Sequence, residues 1–311
     1  MREPRIVTVI GGTGFVGRCV VRHLGAQGYR IRVVARRPEL AKELKTAGDV
    51  GQISLTSGNI NQPESYAASL QGAFAVVNLV GILYESGNQT FPKIHAQGSE
   101  KLAQAAKAAG VSRFIQISAL GVDKATGRYA HTKAIAEKAV LAAFPEVTIL
   151  RPSIIFGPDD HFFNHFAAMA SLSPALPLIG GGKTRFQPVY VGDVAKAIEL
   201  CLQRADTAGQ TYELGGPHVY SFKEILQYIL TTIGRSRSLM NIPFPIATMI
   251  GTMGELLPKP PLTRDQVTML KHDNVVTVGA QTFAHLNLHP TALDIVVPDY
   301  LARFNKKAKA A

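Results

Sequence analysis

The stretch TVIGGTGFVGRCVVRHLG, residues 8–25, decides the fold. A β-branched run enters a cluster of four glycines, and a helix-forming run with one apolar face leaves it. Gly12, Gly14 and Gly17 satisfy Gly-x-Gly-x-x-Gly, with Gly11 just before them. Small residues let the backbone turn tightly and approach a pyrophosphate, and one glycine lets the helix pack against the strand. The phosphates then meet unpaired N–H groups and the positive end of the helix. A purely structural glycine turn is the alternative. It is disfavoured because strand, loop and helix follow one another in the order the fingerprint requires.

The pattern continues outward. RIVTVI is followed by a helix over 14–27, then YRIRVVAR and a helix containing Leu40 to Thr46. AFAVVNLVG precedes a helix near Phe91 to Ala109. RFIQIS precedes the helix containing Tyr129 to Phe144, and VTILRPSIIFG closes the series. Continuous β-branched strands suit a parallel sheet buried on both faces. Repeated βα units imply right-handed crossovers, hence a doubly wound sheet. Beyond Pro158, SLSPALPLIGGGKTRF reads as loop, and FQPVYVGDVAKAIELCL as a strand and helix returning to the sheet.

The second strand ends VVARRP. An NAD-specific site usually carries an acid there to bind the ribose hydroxyls. Arg36 and Arg37 stand in its place. Guanidinium groups grip a 2′-phosphate that a carboxylate would repel, so NADP(H) is favoured over NAD(H). The bland alternative makes both arginines solvated loop residues. The expected fold is therefore α/β: a Rossmann-type doubly wound parallel sheet with a smaller C-terminal domain over the cofactor cleft. Residues 1–158 and 186–211 form the NADP-binding part, and 159–185 with 212–311 the smaller substrate or partner domain.

The motifs GGTGFVGR, NLVG, YAHTK, RPSIIFGP and PVYVGDVAKAI resemble the extended and atypical short-chain dehydrogenase/reductases. Longer strings narrow the likeness. RYAHTKAIAEKAVLAAFPEVTILRPSIIFGPDDHFFNHFA, QPVYVGDVAKAIE and LTRDQVTMLKHDNVV resemble the branch that holds the NADPH-binding accessory subunit of mitochondrial complex I and its bacterial relatives. The resemblance implies that Gly11, Gly14 and Gly17, with Thr13, Phe15 and Val16 of the same loop, bind the pyrophosphate. It places Arg36, with Arg37 beside it, on the 2′-phosphate, and Asn59 and Ile60 near the adenine. Val80, Gly81 and Pro152 join the cofactor-binding set. It also assigns Tyr129 and Lys133 to the Tyr-x-x-x-Lys pair.

That pair is four residues apart and shares a helix face. Its chemistry needs a lysine ammonium to lower the tyrosine pKa and hold the nicotinamide ribose, while the tyrosine exchanges the substrate proton. The family's third member is a hydroxyl just past the fifth strand. Ser118 lies at the strand end, whereas Ala119 stands one position later, where the hydroxyl is expected. Losing one donor to the transition state typically lowers the rate ~100–1000-fold. Such a site binds cofactor and turns over badly.

Other groups carry less. His161 and His165 lie four apart beside Asp160, without the further ligands a metal site needs. Asp193 is expected to cap a helix. Cys19 and Cys201 match no metal spacing and read as free thiols of a reducing compartment. No targeting segment is expected ahead of the first strand. The formal charge of +11 over 311 residues points to an acidic partner. Nucleic acid is disfavoured because the basic residues are scattered. NIPFPIATMIGTMGELLPKP, residues 241–260, is apolar but broken by Pro, Gly and Glu, so it does not span a bilayer. Flanked by Arg235, Arg237 and Lys259, it reads either as a surface resting on a membrane or partner or as a lid over the cleft.

Two functions from different classes stay open. One is an NADP(H)-loaded subunit or assembly factor of complex I, or of quinone-related proteins at an anionic membrane surface, with little catalysis. The other is a soluble NADPH-dependent reductase, epimerase or dehydratase. The expected location is cytoplasmic, extended in the first reading to peripheral attachment on the inner face of the cell membrane.

Overall fold

Buried β-branched runs become the strands of one central sheet in the computed structural model, which describes residues 5–124, 126–257 and 260–305. The first six strands are β1 (Ile6–Ile10), β2 (Arg30–Ala35), β3 (Ile53–Ser57), β4 (Ala75–Asn78), β5 (Arg113–Ile117) and β6 (Thr148–Pro152). Four shorter strands follow: β7 (Ile155–Phe156), β8 (Ala175–Ile179), β9 (Arg185–Phe186) and β10 (Val189–Tyr190). The seventh strand of the sheet is β11 (Thr211–Leu214), and β12 (Tyr220–Ser221) and β13 (Ser238–Ile242) come last. The sheet order is β11-β6-β5-β4-β1-β2-β3, with every pair parallel. The order reverses between β1 and β4. A crevice at the carboxyl ends of those two strands is where a doubly wound sheet takes its ligand.

Helices α1 (Phe15–Ala26), α2 (Ala67–Leu70), α3 (Gly98–Ala108) and α4 (Arg128–Ala143) belong to the first half. They are followed by α5 (Phe163–Leu172), α6 (Val191–Gln203), α7 (Phe222–Thr232), α8 (Phe244–Gly254), α9 (Arg264–Met269) and α10 (Leu293–Leu301). Val7, Val9 and Val33 meet Val20, Leu24 and Ile198 of α1 and α6 on one face of the sheet. Ile10, Val76 and Phe114 meet Leu102 and Val140 of α3 and α4 on the other. Burial on both faces is what the unbroken apolar runs required. A third cluster, around Phe156, Phe163, Phe222, Ile229 and Val297, sits beneath the C-terminal part.

Several expectations are corrected. The run through Leu40 is a 3₁₀ helix, Pro38–Thr46, kinked at Ala41. Its buried residues Ala41 and Leu44 are three apart, the spacing that 3₁₀ winding stacks on one face. The helix from Phe91 opens with π winding over Pro92–Gln97 before α3 begins. The stretch 171–186 is not all loop: β8 pairs in parallel with β13, and β9 pairs antiparallel with β12. Pro177 is tolerated because β8 has a strand on one side only. The strand of FQPVYVGD is β10, which pairs with β7 outside the central sheet. The strand that does return is β11, and it crosses the boundary drawn after residue 211. Residues 306–311 of the basic tail, and Lys259, lie outside the described residues.

Candidate functional site

The glycine loop links β1 to α1 at the reversal of strand order. Gly11 has φ +82°, a conformation in which a side chain is strained, and its N–H donates to the Val34 carbonyl at 2.9 Å. A Cβ on Gly17 would lie 2.5 Å from the Gly11 oxygen and the Gly12 Cα, so this glycine is fixed by the fold itself. Gly14 differs. A Cβ there would find its nearest neighbour, the Gly11 oxygen, at an ordinary 3.5 Å. The protein leaves that space open. No side chain caps α1, so the first N–H groups of the helix face it. Thr13, Phe15 and Val16 belong to this turn, and the Thr13 carbonyl accepts from Arg18 Nε at 2.9 Å.

Arg36 and Arg37 follow β2 as exposed side chains. Neither guanidinium has a hydrogen-bond or ion-pair partner among the described residues. Arg18, by contrast, is tied to Glu43. Asn59 accepts the Asn61 N–H at 3.1 Å through Oδ1, which shapes the turn that buries Ile60. Across the crevice, Asn78 ends β4 fully buried. Its Nδ2 donates to Ser99 Oγ and Gln116 Oε1 at 3.0 and 2.9 Å, and its Oδ1 accepts the Val80 N–H at 3.1 Å. This network sets the turn through Val80 and Gly81. The turn approaches the glycine loop closely: a Cβ on Gly11 would sit 3.1 Å from Val80.

Lys133 lies on α4, 4% exposed, and its Nζ donates to the Ile117 carbonyl at 3.2 Å. It lies 3.4 Å from where a Gly81 Cβ would be, so it bridges the ends of β4 and β5. Burial pulls its pKa down to about 8, with Glu137 acting in the opposite sense. Glu137, one turn on, is gripped by Arg151 at 2.9 and 2.5 Å. Ser118 is buried at the end of β5, and its hydroxyl has no hydrogen-bond partner in the described structure. Such an orphan needs a partner from outside the chain. Pro152 is buried at the end of β6, where its carbonyl accepts the Leu120 N–H at 2.9 Å.

Tyr129 stands one turn before Lys133, with its ring edge-on to His95 and Phe91 at 5.2 and 5.8 Å. Its acidity moves against the expected direction. Burial, and then the Asp265 carboxylate, push the phenol up to about 12. His95 is 1% exposed, and burial, followed by the Lys133 charge, pulls its pKa down to about 3. Its Nε2 accepts the Ile82 N–H at 3.1 Å, so the ring proton is on Nδ1, 3.1 Å from Thr132 Oγ1. His95 is thus a neutral spacer between the β4 turn and α4.

The remaining support comes from far along the chain. Gly127 precedes α4 and offers no capping side chain. Asp265 takes that role, accepting the N–H of Arg128 at 2.5 Å and of Tyr129 at 3.1 Å. A Cβ on Gly127 would collide with that carboxylate at 2.8 Å. Asn78, His95 and Asp265 were missed in the sequence. Asn78 lies inside the NLVG motif, but nothing local marks the other two.

Elsewhere, Asp193 sits in the first turn of α6 and does not cap it. Its carboxylate accepts from the Thr291 N–H and hydroxyl at 2.6 and 3.1 Å. Asp160 accepts backbone N–H groups of Phe162 and Phe163 and the Tyr300 hydroxyl, which leaves it little capacity for a metal. Both cysteines are free thiols, Cys201 buried and Cys19 partly so. Among the described residues no helix is long and apolar enough to cross a membrane. The open space at Gly14, the uncapped helix, the unpaired arginines and the orphaned Ser118 hydroxyl together fit a nicotinamide dinucleotide.

Comparisons agree with this geometry. The sequence model described as the NAD dependent epimerase/dehydratase family matches residues 7–215. "NADH dehydrogenase [ubiquinone] 1 alpha subcomplex subunit 9, mitochondrial" of Arabidopsis thaliana is 37% identical, over 97% of this chain and 78% of its own. The ceramide reductase of Caulobacter vibrioides is 30% identical over 77% of this chain and 74% of its own. Among solved structures, a dTDP-glucose 4,6-dehydratase of Streptomyces venezuelae with NAD and TYD bound superposes with a TM-score of 0.76. It covers 98% of each chain at 20% identity, a likeness of fold.

Proposed function

The chain belongs to the NAD dependent epimerase/dehydratase family, and from that premise we propose that it is an NADP(H)-binding accessory or assembly subunit. Its partner is respiratory complex I or a related quinone-handling assembly at the membrane, and its own turnover is little or none. One observation carries the reading. Similarity to the complex I subunit covers 97% of the chain, well past residue 215 where the family model stops. The C-terminal part, where a partner-specific surface would lie, is included.

The residues support binding more than chemistry. The N-terminus of α1 receives the pyrophosphate at the open face of Gly14. Arg36 and Arg37, with no partners of their own, receive the 2′-phosphate and favour NADP(H) over NAD(H). Lys133 Nζ has donors left for the ribose, and Ser118 gains its missing partner there. Bound nicotinamide would supply hydride exchange. For that chemistry Tyr129 must pass a proton, and a phenol held near 12 beside Asp265 is a weak acid at neutral pH. Ala119 adds no hydroxyl. A dinucleotide that binds only the folded chain stabilises it by RT ln(1 + [L]/Kd).

The outward face of α8 supports peripheral attachment at an anionic surface on the cytoplasmic side. Ile246, Met249, Ile250 and Met253 are all exposed on it, while Ala247 and Gly251 face inward. Arg235 donates to the Phe304 carbonyl and Arg237 to those of Ala170 and Ser236, and neither is paired with a carboxylate among the described residues. A soluble reductase is the second reading, favoured by the placement of Tyr129 and Lys133 and by the ceramide reductase relative. The deciding experiment isolates the protein from native membranes and assays its bound dinucleotide. NADP(H) that co-purifies with a membrane complex and stays unchanged with quinones and carbonyls is expected. Rapid oxidation by a carbonyl, with no co-purifying complex, would favour the reductase.

A further inference from the structure

Arg18 closes the first turn of α1, where its N–H donates to the Gly14 carbonyl at 2.9 Å. Its side chain reaches out of the helix in two directions. Nε donates to the Thr13 carbonyl of the glycine loop at 2.9 Å, and Nη2 to the Leu40 carbonyl at 3.3 Å. Leu40 ends the first turn of the 3₁₀ helix Pro38–Thr46, and its own N–H donates to the Arg37 carbonyl at 3.3 Å. The Arg18 guanidinium therefore ties the glycine loop to the turn that Arg37 begins. Its Nη1 meets the Glu43 carboxylate, three residues beyond Leu40 on the same 3₁₀ helix. Arg36 and Arg37 stand at the start of this helix without partners, and Glu39, in its first turn, pairs with no cation among the described residues. Glu43 is thus the acid engaged with a cation at this corner.

The attachments of Arg18 differ in kind. Thr13 and Leu40 hold it through backbone carbonyls, which stay where the fold puts them. Glu43 holds it through a side chain that is 47% exposed, and an exposed pair is weak enough for the carboxylate to swing into water at little cost. A phosphate monoester offers three acceptor oxygens and about 1.5–2 negative charges, and outbids a carboxylate for a guanidinium already fixed in place. We propose that Glu43 is an internal competitor for the 2′-phosphate of the dinucleotide, holding Arg18 until NADP(H) arrives and then yielding it to the phosphate. Arg18 becomes a third phosphate-binding guanidinium beside Arg36 and Arg37, and the grip of Glu43 sets how strongly NADP(H) is preferred. NADH brings no phosphate to displace Glu43. This role rests on the NADP(H) assignment of the site and adds to it a residue pair that tunes selectivity.

Titration calorimetry of the full-length protein with NADPH, NADH, 2′,5′-ADP and 5′-AMP tests it in wild type, Glu43→Gln, Arg18→Gln and the double variant. Removing the competitor should tighten NADPH and 2′,5′-ADP roughly three- to tenfold and leave NADH and 5′-AMP within about twofold. In the Arg18→Gln background the same change at Glu43 should alter NADPH by less than about twofold, since nothing is left to compete for. NADH binding and the unfolding midpoint show that each variant is folded. A clasp that only braces the 3₁₀ helix predicts another pattern: all four ligands and the midpoint shift together, which would overturn the proposal. An equal gain from Glu43→Gln with and without Arg18 would also overturn it, by assigning the effect to charge at a distance. Wild type that prefers NADPH, with that preference unchanged in Glu43→Gln, sinks the competitor and keeps the NADP(H) reading. Wild type with equal affinity for NADPH and NADH sinks both.

Discussion

Replacing Arg36 by Asp tests the cofactor assignment most directly. Arg36 is exposed and has no hydrogen-bond, ion-pair or ring partner among the described residues, so its loss should leave the fold intact. A hydrogen bond to a charged group contributes ~1.5–3 kcal/mol, and the exposed setting argues for the lower end. An added carboxylate ~4 Å from a phosphate charge contributes about 1 kcal/mol of repulsion in a water-like dielectric. Together these weaken NADPH by about 2.5 kcal/mol, or roughly 60-fold at 1.4 kcal/mol per decade. NADH has no 2′-phosphate, and its affinity should hold or rise, so the preference reverses. Because the chain contains no tryptophan, the nicotinamide emission can be titrated without indole transfer, and calorimetry provides a second reading. A change in the NADPH/NADH ratio below about threefold would refute the reasoning and leave Arg36 a solvated loop residue.

Gly14→Val should abolish dinucleotide binding while the unfolding midpoint moves little, whereas Gly17→Ala should unfold the loop, since its Cβ meets backbone at 2.5 Å. The reverse pattern in calorimetry and thermal melts would mean that Gly14 is structural. His95 stays neutral in the fold down to about pH 3, whereas an unfolded histidine protonates below about 6.5. Between those values the unfolded chain binds more protons, so stability falls as pH falls, approaching 1.4 kcal/mol per pH unit. Urea midpoints of wild type and His95→Gln should therefore converge towards acid pH; parallel curves would contradict the assignment. Generic aldehydes, ketones and nucleotide sugars should turn over slowly or not at all, and robust turnover lost in Tyr129→Phe would move the protein to the enzymes. Membrane attachment should be released by high salt, since each basic residue near an anionic surface contributes about 1 kcal/mol. A protein wholly in the soluble fraction at low salt would contradict it.

The parts of the site that a single element builds were legible in the sequence. The glycine turn, the arginines after β2 and the Tyr129–Lys133 spacing all depend on residues within one βα unit. The strand Ile53–Ser57 was passed over because only two of its five residues, Ile53 and Leu55, are large and apolar, as suits an edge strand with one crowded face. The ribbon of β8 and β13 was hidden by Pro177 and by a partner 63 positions away. The acidity of Tyr129 could not be read from spacing. Its pKa is set by how deeply α4 is buried and by a carboxylate 136 residues downstream, neither of which Tyr-x-x-x-Lys records.

The Asp265 contact also bears on the order in which the chain is made. The family match ends at residue 215, and all seven sheet strands are complete by Leu214. A nascent chain of that length has the whole sheet but leaves the first N–H groups of α4 without their acceptor, because Gly127 cannot supply one. The helix bearing Tyr129 and Lys133 is finished only when fifty further residues have emerged. A truncation at the family boundary should therefore yield a nucleotide fold with a frayed α4. Hydrogen exchange at Arg128 and Tyr129 would register the completion of α9 as a late event in maturation.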